Sequence, residues 1–427
     1  MVYKYSISDR AASALSDTVD CNAGTFEQDM TDQELPLAGI KVVELSHMVM
    51  GPSAGLLLAD MGAEVIKVEP PAGDNTRRLR GSGAGYFSMY NRNKRSVCID
   101  LKSGQGQAIA RRMISKADVF IENFRPGAME QAGYGYDILS QDNPGLVYYS
   151  ARGFLSGPYE QRTALDEVAQ MMGGLAYMTG PPGQPLRAGA SVIDVVGGMF
   201  GVIGFLSALE MRHRTGRGQL VNSALFESTA FLVGQHMAQF AVTGEPAPPM
   251  PVRISAWAIY DIFNCKDGKQ VFAAVVSDTQ WKKFCEYFSL DEFAADETLA
   301  GNAGRVSRRD IIIPRVRSLF MGFSADELVQ RLDQCGLPYA PISRPEDLFG
   351  DPHLLASGGL LDVTPPEGEP TKLPALPVQM DGKRFTLRRD VPRQGEHTRE
   401  VLQELDFTDT EIDALISAGV VAWPASR

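Results

Sequence analysis

The sequence has 427 residues, too many for one ordinary core, so two or more domains are expected. A hydrophobic share of 44% and a charged share of 22% describe a soluble globular chain. A formal charge of −11 excludes general nucleic-acid binding, which needs a basic surface, but leaves an anionic ligand open because local charge decides that.

Residues 1–35 are polar and poor in core side chains, and read as an N-terminal arm. They contain no apolar h-region, so a secretory signal is not expected. "IKVVELS" (Ile40–Ser46) then reads as a buried strand, "GPSAGLLLADMGA" as a short helix and "EVIKVEP" as a second strand. This βαβ pattern predicts a parallel sheet covered by helices. "KRSVCIDL", "DVFIENF" and "GLVYYSARGF" extend the strand series, with "GQGQAIARRMISKA" as a helix between the first two. A large α/β domain over residues 36–225 is the result, completed by about residues 395–427.

Ser191 to Gly218 reads as one long helix with its entry turn; Arg212, His213 and Arg214 suit the negative end of its dipole, and glycines close it. Its nearly uncharged run, Val195 to Leu209, is fifteen residues, short of the roughly 20 a spanning helix needs, so no membrane span is expected. A second helical run is expected over Ser223–Val242, most of it in a linker assigned to residues 226–251. "AIYDIFNCKDGKQVFAAVV" predicts a hairpin turning at Asp267-Gly268, and "SADELVQRLDQCG" a helix capped by Ser324 and Glu327 and closed by Gly336. These place a smaller α/β domain over residues 252–340. A Pro-rich return linker over 341–394 and a capped helix, "TDTEIDALISAG", complete the chain.

The five cysteines include no CxxC pair, which points to a reducing, cytoplasmic compartment and no zinc site. The five histidines have no metal-binding spacing, so no metal is expected. No GxSxG elbow supports a hydrolase triad. The turn after the first strand, "SHMVMGPSAG", lacks the GxGxxG fingerprint, which weakens an NAD-type oxidoreductase reading of the βαβ unit.

Two carboxylates stand out. Asp194, in "SVIDVVGGMF", is placed to cap the long helix. A cap does not need Gly197-Gly198, and each helical glycine costs about 1 kcal/mol relative to alanine. The glycines suggest that something approaches the backbone closely, with Asp194 as nucleophile or ligand contact. Asp166, in "RTALDEVAQMMGG", also precedes a helical segment; a cap or a secondary acid/base are both open. From Arg77 to Arg125 the chain carries eleven Lys/Arg against three Asp/Glu. Half of that run reads as a solvated face, while "NRNKRS" looks suited to phosphates.

Together these segments resemble CoA-transferase family III, the group that includes formyl-CoA:oxalate and carnitine CoA-transferases and the related α-methylacyl-CoA racemases. The resemblance is carried by "PLAGIKVVELSHMVMGPSAGLLLADMGAEVIKVEPPAGD", "YFSMYNRNKRSVCIDLKSGQGQ", "ADVFIENFRPGAMEQAGYGY", "GPY", "SVIDVVGGMFGVIGFLSALEMRHRTGRGQ" and "GEHTREVL", in that order, from about residue 36 to 422.

The resemblance implies a large doubly wound Rossmann-like domain and a smaller α/β domain, joined by long linkers into an interlocked homodimer. It implies that Asp194 is the catalytic nucleophile. Coenzyme A would lie along His47, Val49 and Met50, then Ile99, Asp100, Leu101 and Lys102, then Asn123, Phe124 and Arg125. The substrates would be an acyl-CoA thioester and a free carboxylic acid, with dicarboxylates among the candidates and no tightly bound cofactor. Backbone N–H groups at the helix start would hold the oxyanion. The chain departs from the formyl-CoA enzyme at Val49, Gln131 and Leu165, which the latter fills with Gln, Arg and Tyr. Racemases carry a catalytic aspartate aligned with Asp166 and a histidine upstream; this sequence has no histidine between His47 and His213. A non-catalytic acyl-CoA-binding subunit is the remaining alternative.

Overall fold

The computed structural model describes Met30, residues 34–253 and residues 255–424. Most of the arm assigned to residues 1–35 therefore lies outside the described residues; Leu35 is buried beside Leu376 and Phe385.

Six parallel strands build the central sheet: β1 (Lys41–Leu45), β2 (Glu64–Glu69), β3 (Lys94–Ile99), β4 (Val119–Glu122), β5 (Val147–Arg152) and β6 (Leu220–Ala224). Their spatial order is β3-β2-β1-β4-β5-β6. Connections leave β1 and β4 in opposite directions, so a crevice opens at their carboxyl ends, where Leu45 pairs with Glu122.

Both faces of the sheet are covered. On one, Val43, Leu45, Val97 and Phe120 pack with Ile109 and Met113 of the Gly104–Ser115 helix and with Val401 and Ile412 of the C-terminal helices. On the other, Val42, Val65, Ile121 and Tyr149 pack with Ala54 and Leu58 of the Met50–Asp60 helix and with Val202, Phe205 and Leu209 of the Val192–Thr215 helix. Double coverage explains why the central strands β4 and β5 are apolar along nearly their whole length, while β1, β2 and β3 bury charged residues that must find partners inside the protein.

A second, antiparallel sheet follows, formed by β7 (Ile259–Asn264), β8 (Gln270–Val275) and β9 (Tyr339–Pro341). Gly268 takes the hairpin turn at φ 76°. Phe263, Trp281, Phe284, Val316, Phe320 and Leu328 form the core beneath it. The Ala325–Cys335 helix has the expected capping box and ends at Gly336 in the left-handed conformation. The stretch 341–394 carries two small hairpins, β10 (Leu360–Val363) with β11 (Thr371–Pro374) and β12 (Gln379–Met380) with β13 (Lys383–Arg384). Finally β14 (Val421–Ala422) adds antiparallel to β3, bringing the chain end onto the central sheet.

Two sequence expectations change. The helical run placed at Ser223–Val242 begins as strand β6, whose pairing to β5 overrides its polar Asn222 and Ser223; two helices follow, Leu225–Leu232 and Gly234–Thr243, separated at Val233. The long helix has 24 residues and is apolar enough to cross a membrane by length and composition, which its uncharged run alone did not suggest. One side of it is occupied: Gly197, Gly198, Gly201, Val202, Phe205 and Leu209 are buried, and the helix packs on the Met50–Asp60 helix, β5 and β6, while Met199 and Ile203 on the other side are exposed.

Candidate active site

Beneath the loop that follows β1 lies a buried ionic cluster. Alternation along the strands turns Glu44, Lys67 and Lys94 to the same face of the sheet, and all three are fully buried. Lys94 Nζ lies 2.7 Å from Glu44 Oε2, and Lys67 Nζ lies 3.4 Å from Glu44 Oε1 and 3.1 Å from Asp74 Oδ2. Lys67 also donates to the Ser46 carbonyl at 2.7 Å, and Lys94 to the Pro52 carbonyl at 2.9 Å. Burial holds the Lys94 ammonium down at about 8, against the opposing pull of Glu44. Gly55 makes the cluster possible: a Cβ there would overlap the Glu44 carboxylate.

The "NRNKRS" segment is therefore not a phosphate site. Asn91 to Ser96 are all buried. Arg92 forms a two-pronged contact with Asp60, and Arg95 pairs with Glu400 and Glu404. Neither a solvated face nor an anion cradle describes these cations; they tie β3 to the first helix and to the C-terminal helices.

Above this platform the loop is strapped at several points. Asn123 accepts from the His47 N–H at 3.0 Å and donates to the His47 carbonyl at 2.7 Å. Met48 adopts φ 63° and its N–H donates to Thr76 Oγ1. The His47 and Phe124 rings lie 5.3 Å apart, and Glu122 accepts from the Phe124 N–H. His47 is exposed, Asn123 and Phe124 are half-buried, and Arg125 is exposed, so these four line the crevice rim together. Val49 and Met50 are buried beneath the loop, with the Met50 side chain packed against the long helix at Gly197. Ile99 is buried in the core beside Val68 and Val421, while Asp100, Leu101 and Lys102 emerge at the same sheet end, two strands from β1.

Asp194 occupies the first turn of the long helix and is half-buried. It is not the cap. Asp166 supplies that from across the site: its Oδ2 accepts from the Ile193 N–H at 2.9 Å and the Asp194 N–H at 3.2 Å. Asp166 Oδ1 accepts from Gln170 Nε2, and the Gln170 Oε1 accepts from the Ala188 N–H at 2.8 Å. Arg187 pairs with Glu167 and approaches Asp166 at 3.6 Å. Burial, reinforced by the charges of Asp166 and Glu167 and opposed by Arg187, pushes the Asp194 carboxyl up to about 7. On the facing side stand Tyr86 and Tyr90 of a short helix. Tyr86 Oη lies 3.3 Å from Ser191 Oγ. Burial and the Asp194 charge push the Tyr90 hydroxyl up to about 12.

The helix start does not offer free N–H groups for an oxyanion. Those of Ile193 and Asp194 serve Asp166, and those of Val192 and Val195 donate to the Ala190 and Ser191 carbonyls. Nor do the glycines face a ligand. A Cβ on Gly197 would come within 2.7 Å of Met50 Cε, and one on Gly198 would overlap Ser53 Oγ and sit 2.9 Å from the Met50 carbonyl. They let the long helix pack closely on the first one. Sequence reasoning passed over Tyr86, Tyr90, Gln170 and Arg187; the i,i+4 tyrosines in "YFSMY" were the only local signal.

With the geometry in place, the sequence pattern that defines CoA-transferase family III matches residues 37–398. The chain belongs to CoA-transferase family III. A succinate–glutarate CoA-transferase of Agrobacterium fabrum is 34% identical to it, over 88% of this chain and 98% of the relative. The human succinyl-CoA:glutarate CoA-transferase is 30% identical, over 93% of this chain and 92% of the relative. The β subunit of a succinyl-CoA–L-malate CoA-transferase of Chloroflexus aurantiacus is 32% identical, over 92% and 100%. Among solved structures, a CaiB/BaiF family protein of Brucella suis superposes with a TM-score of 0.78 at 33% identity, covering 89% of this chain and 100% of that one. Family III membership displaces the NAD-type oxidoreductase reading, and CoA-transferases of this family take CoA thioesters as substrates.

Proposed function

We propose that this family III chain moves coenzyme A from a dicarboxylic acyl-CoA to a free dicarboxylate, with Asp194 as the nucleophile. The relatives named above point to that substrate class. The observation that carries the chemical assignment is Asp194 itself, a half-buried carboxylate in a helix's first turn, poorly solvated and held near neutrality.

Asp194 attacks the thioester carbonyl, giving an aspartyl–acyl anhydride and CoA thiolate. The thiolate attacks the aspartyl carbonyl of the anhydride, releasing the donor acid and leaving a β-aspartyl-CoA thioester. The acceptor carboxylate attacks this thioester, forming a second anhydride and freeing the thiolate again. The thiolate then takes the new acyl group, and the Asp194 carboxylate returns. Acyl activation is conserved throughout, provided water is excluded. Because the helix N–H groups are engaged, the oxyanion donor has to come from elsewhere. The Tyr90 hydroxyl keeps its proton at neutral pH and suits that role. His47, Asn123, Phe124 and Arg125 hold the CoA portion at the rim, with Asp100, Leu101 and Lys102 beyond it.

The working unit in this reading is an interlocked cytoplasmic homodimer. Its support is an apolar surface on the long helix and the two helices after β6: Met199, Ile203, Phe231, Met237, Phe240 and Val242 are exposed, Val242 by 86%. Size-exclusion chromatography with light scattering tests the assembly. Succinyl-CoA with glutarate or malate as acceptor, read by mass spectrometry of the CoA products, tests the substrate class. Exchange with monocarboxylates alone would refute it.

A further inference from the structure

We propose that Asp166 is a positioning residue: it caps the Asp194 helix from a neighbouring element and thereby fixes where the nucleophile stands. This deepens the reading of Asp194 as nucleophile and rests on it.

The geometry leaves Asp166 little freedom to act as an acid or base. It is only 4% exposed. One oxygen receives the two backbone N–H groups of Ile193 and Asp194. The other receives the Gln170 amide and faces Arg187. Gln170 is fully buried, and its own oxygen is fixed by the Ala188 N–H, so the loop ahead of the long helix is part of the same brace. The chain thus joins Asp194 to the Asp166–Met172 helix through backbone bonds rather than through the reacting carboxyl.

A cap in trans has two consequences that a cap from the helix's own N-cap residue would not. First, it couples the position of Asp194 to a different helix, so that a shift of that helix moves the nucleophile. A misplacement of about 1 Å costs on the order of a hundredfold in rate. Second, it sets a carboxylate beside Asp194. The charged and titratable groups acting on Asp194 are Asp166 and Glu167 from one helix and Arg187 from the preceding loop; Tyr90 and Tyr86 stand opposite. Burial first, and then the charges of Asp166 and Glu167, favour the protonated nucleophile, so the anion forms only as pH rises through about 7.

The test uses the full chain with succinyl-CoA as donor and glutarate as acceptor. Asp166→Ala removes the cap, and kcat is expected to fall about ten- to a hundredfold while KM for succinyl-CoA stays within about threefold. Asp166→Asn keeps an acceptor oxygen but removes the charge. Its acid limb in the pH–rate profile is expected to move to lower pH by about half a unit or more, with most of kcat retained. Gln170→Ala leaves the charge and frees its aim, so kcat falls with the limb unmoved. A wild-type acid limb in Asp166→Asn, or activity in all three variants that simply tracks the folded fraction by circular dichroism, would overturn the proposal. Failure of the underlying reading shows separately: wild-type enzyme incubated with succinyl-CoA and hydroxylamine would then yield no hydroxamate on Asp194.

Discussion

Lys94 Nζ and Glu44 Oε2 lie 2.7 Å apart with both side chains fully buried, beneath the loop that follows β1 and leads into the first helix. A buried pair of this kind contributes little over an apolar substitute, but breaking it leaves a charge stranded. Lys94→Ala leaves the Glu44 carboxylate with Lys67 at 3.4 Å as its remaining cation and the neutral Ser46 hydroxyl donating at 2.8 Å, and a loss of about 3–5 kcal/mol is expected from urea unfolding. The double variant Lys94→Met with Glu44→Leu should recover part of that loss. Equal destabilisation in the single and double variants would contradict the account.

Gly197 and Gly198 are neighbours in sequence with different neighbours in space, so alanine should separate them. At Gly197 the new Cβ meets the flexible end of Met50, which can swing aside; a loss of about 1 kcal/mol or less is expected. At Gly198 it meets Ser53 Oγ and the Met50 backbone carbonyl, which cannot, and about 2–3 kcal/mol is expected. Thermal melts of the two variants give the comparison. If the glycines served acyl groups instead, both alanines would spare stability and raise KM.

Asn123 grips the His47 backbone through both its N–H and its carbonyl. Each such bond is worth about 1 kcal/mol net, so Asn123→Ala should weaken acyl-CoA binding by about tenfold or more, read by titration calorimetry with CoA. At saturating donor, kcat should change less than KM. A kcat loss at unchanged KM would place Asn123 in the chemistry instead.

Asp194 also leaves a signature in stability. Its carboxyl is raised from 3.8 to about 7 in the fold, so the folded protein holds this proton more tightly than the unfolded chain. That contribution is complete below about pH 4 and is lost as pH rises through 7. At pH 8 the ionised Asp194 is therefore a cost, and Asp194→Asn is expected to raise Tm by about 2–4 °C there and to change it little at pH 4. An equal rise at both pH values would speak for lost repulsion or better packing instead.

Strands β1 to β5 were legible from short β-branched and aromatic stretches, such as Val42-Val43, Val65-Ile66, Val119–Ile121 and Val147–Tyr149, even though β1, β2 and β3 also carry the buried charges Glu44, Lys67 and Lys94. β6 was not: "LVNSA" sits at the sheet edge, half-exposed, and gains its structure from β5. The capping boxes at Ser324 and Thr408 were legible because both partners lie three residues apart. The Asp166 cap spans 27 residues of sequence and the Arg95 pair with Glu404 spans 309, so neither has a local trace. For the same reason "NRNKRS" read as surplus charge: its counterions come from Glu44, Asp60, Glu400 and Glu404. Asp194 stood out in the sequence as a carboxylate at the head of an apolar helix, and the resemblance implied its role as nucleophile; its surroundings, with the cap supplied by Asp166 and the helix N–H groups engaged, depend on contacts distant in sequence.

The measurement that bears most directly on Asp194 is covalent trapping. Enzyme is incubated with succinyl-CoA, quenched with hydroxylamine and digested, and the peptide containing Ser191 to Phe200 is read by mass spectrometry. The expected result is a hydroxamate on Asp194 that requires the thioester and is abolished in Asp194→Asn, together with loss of CoA transfer in that variant. Full transfer by Asp194→Asn, or a donor-dependent hydroxamate on any other carboxylate, would contradict it.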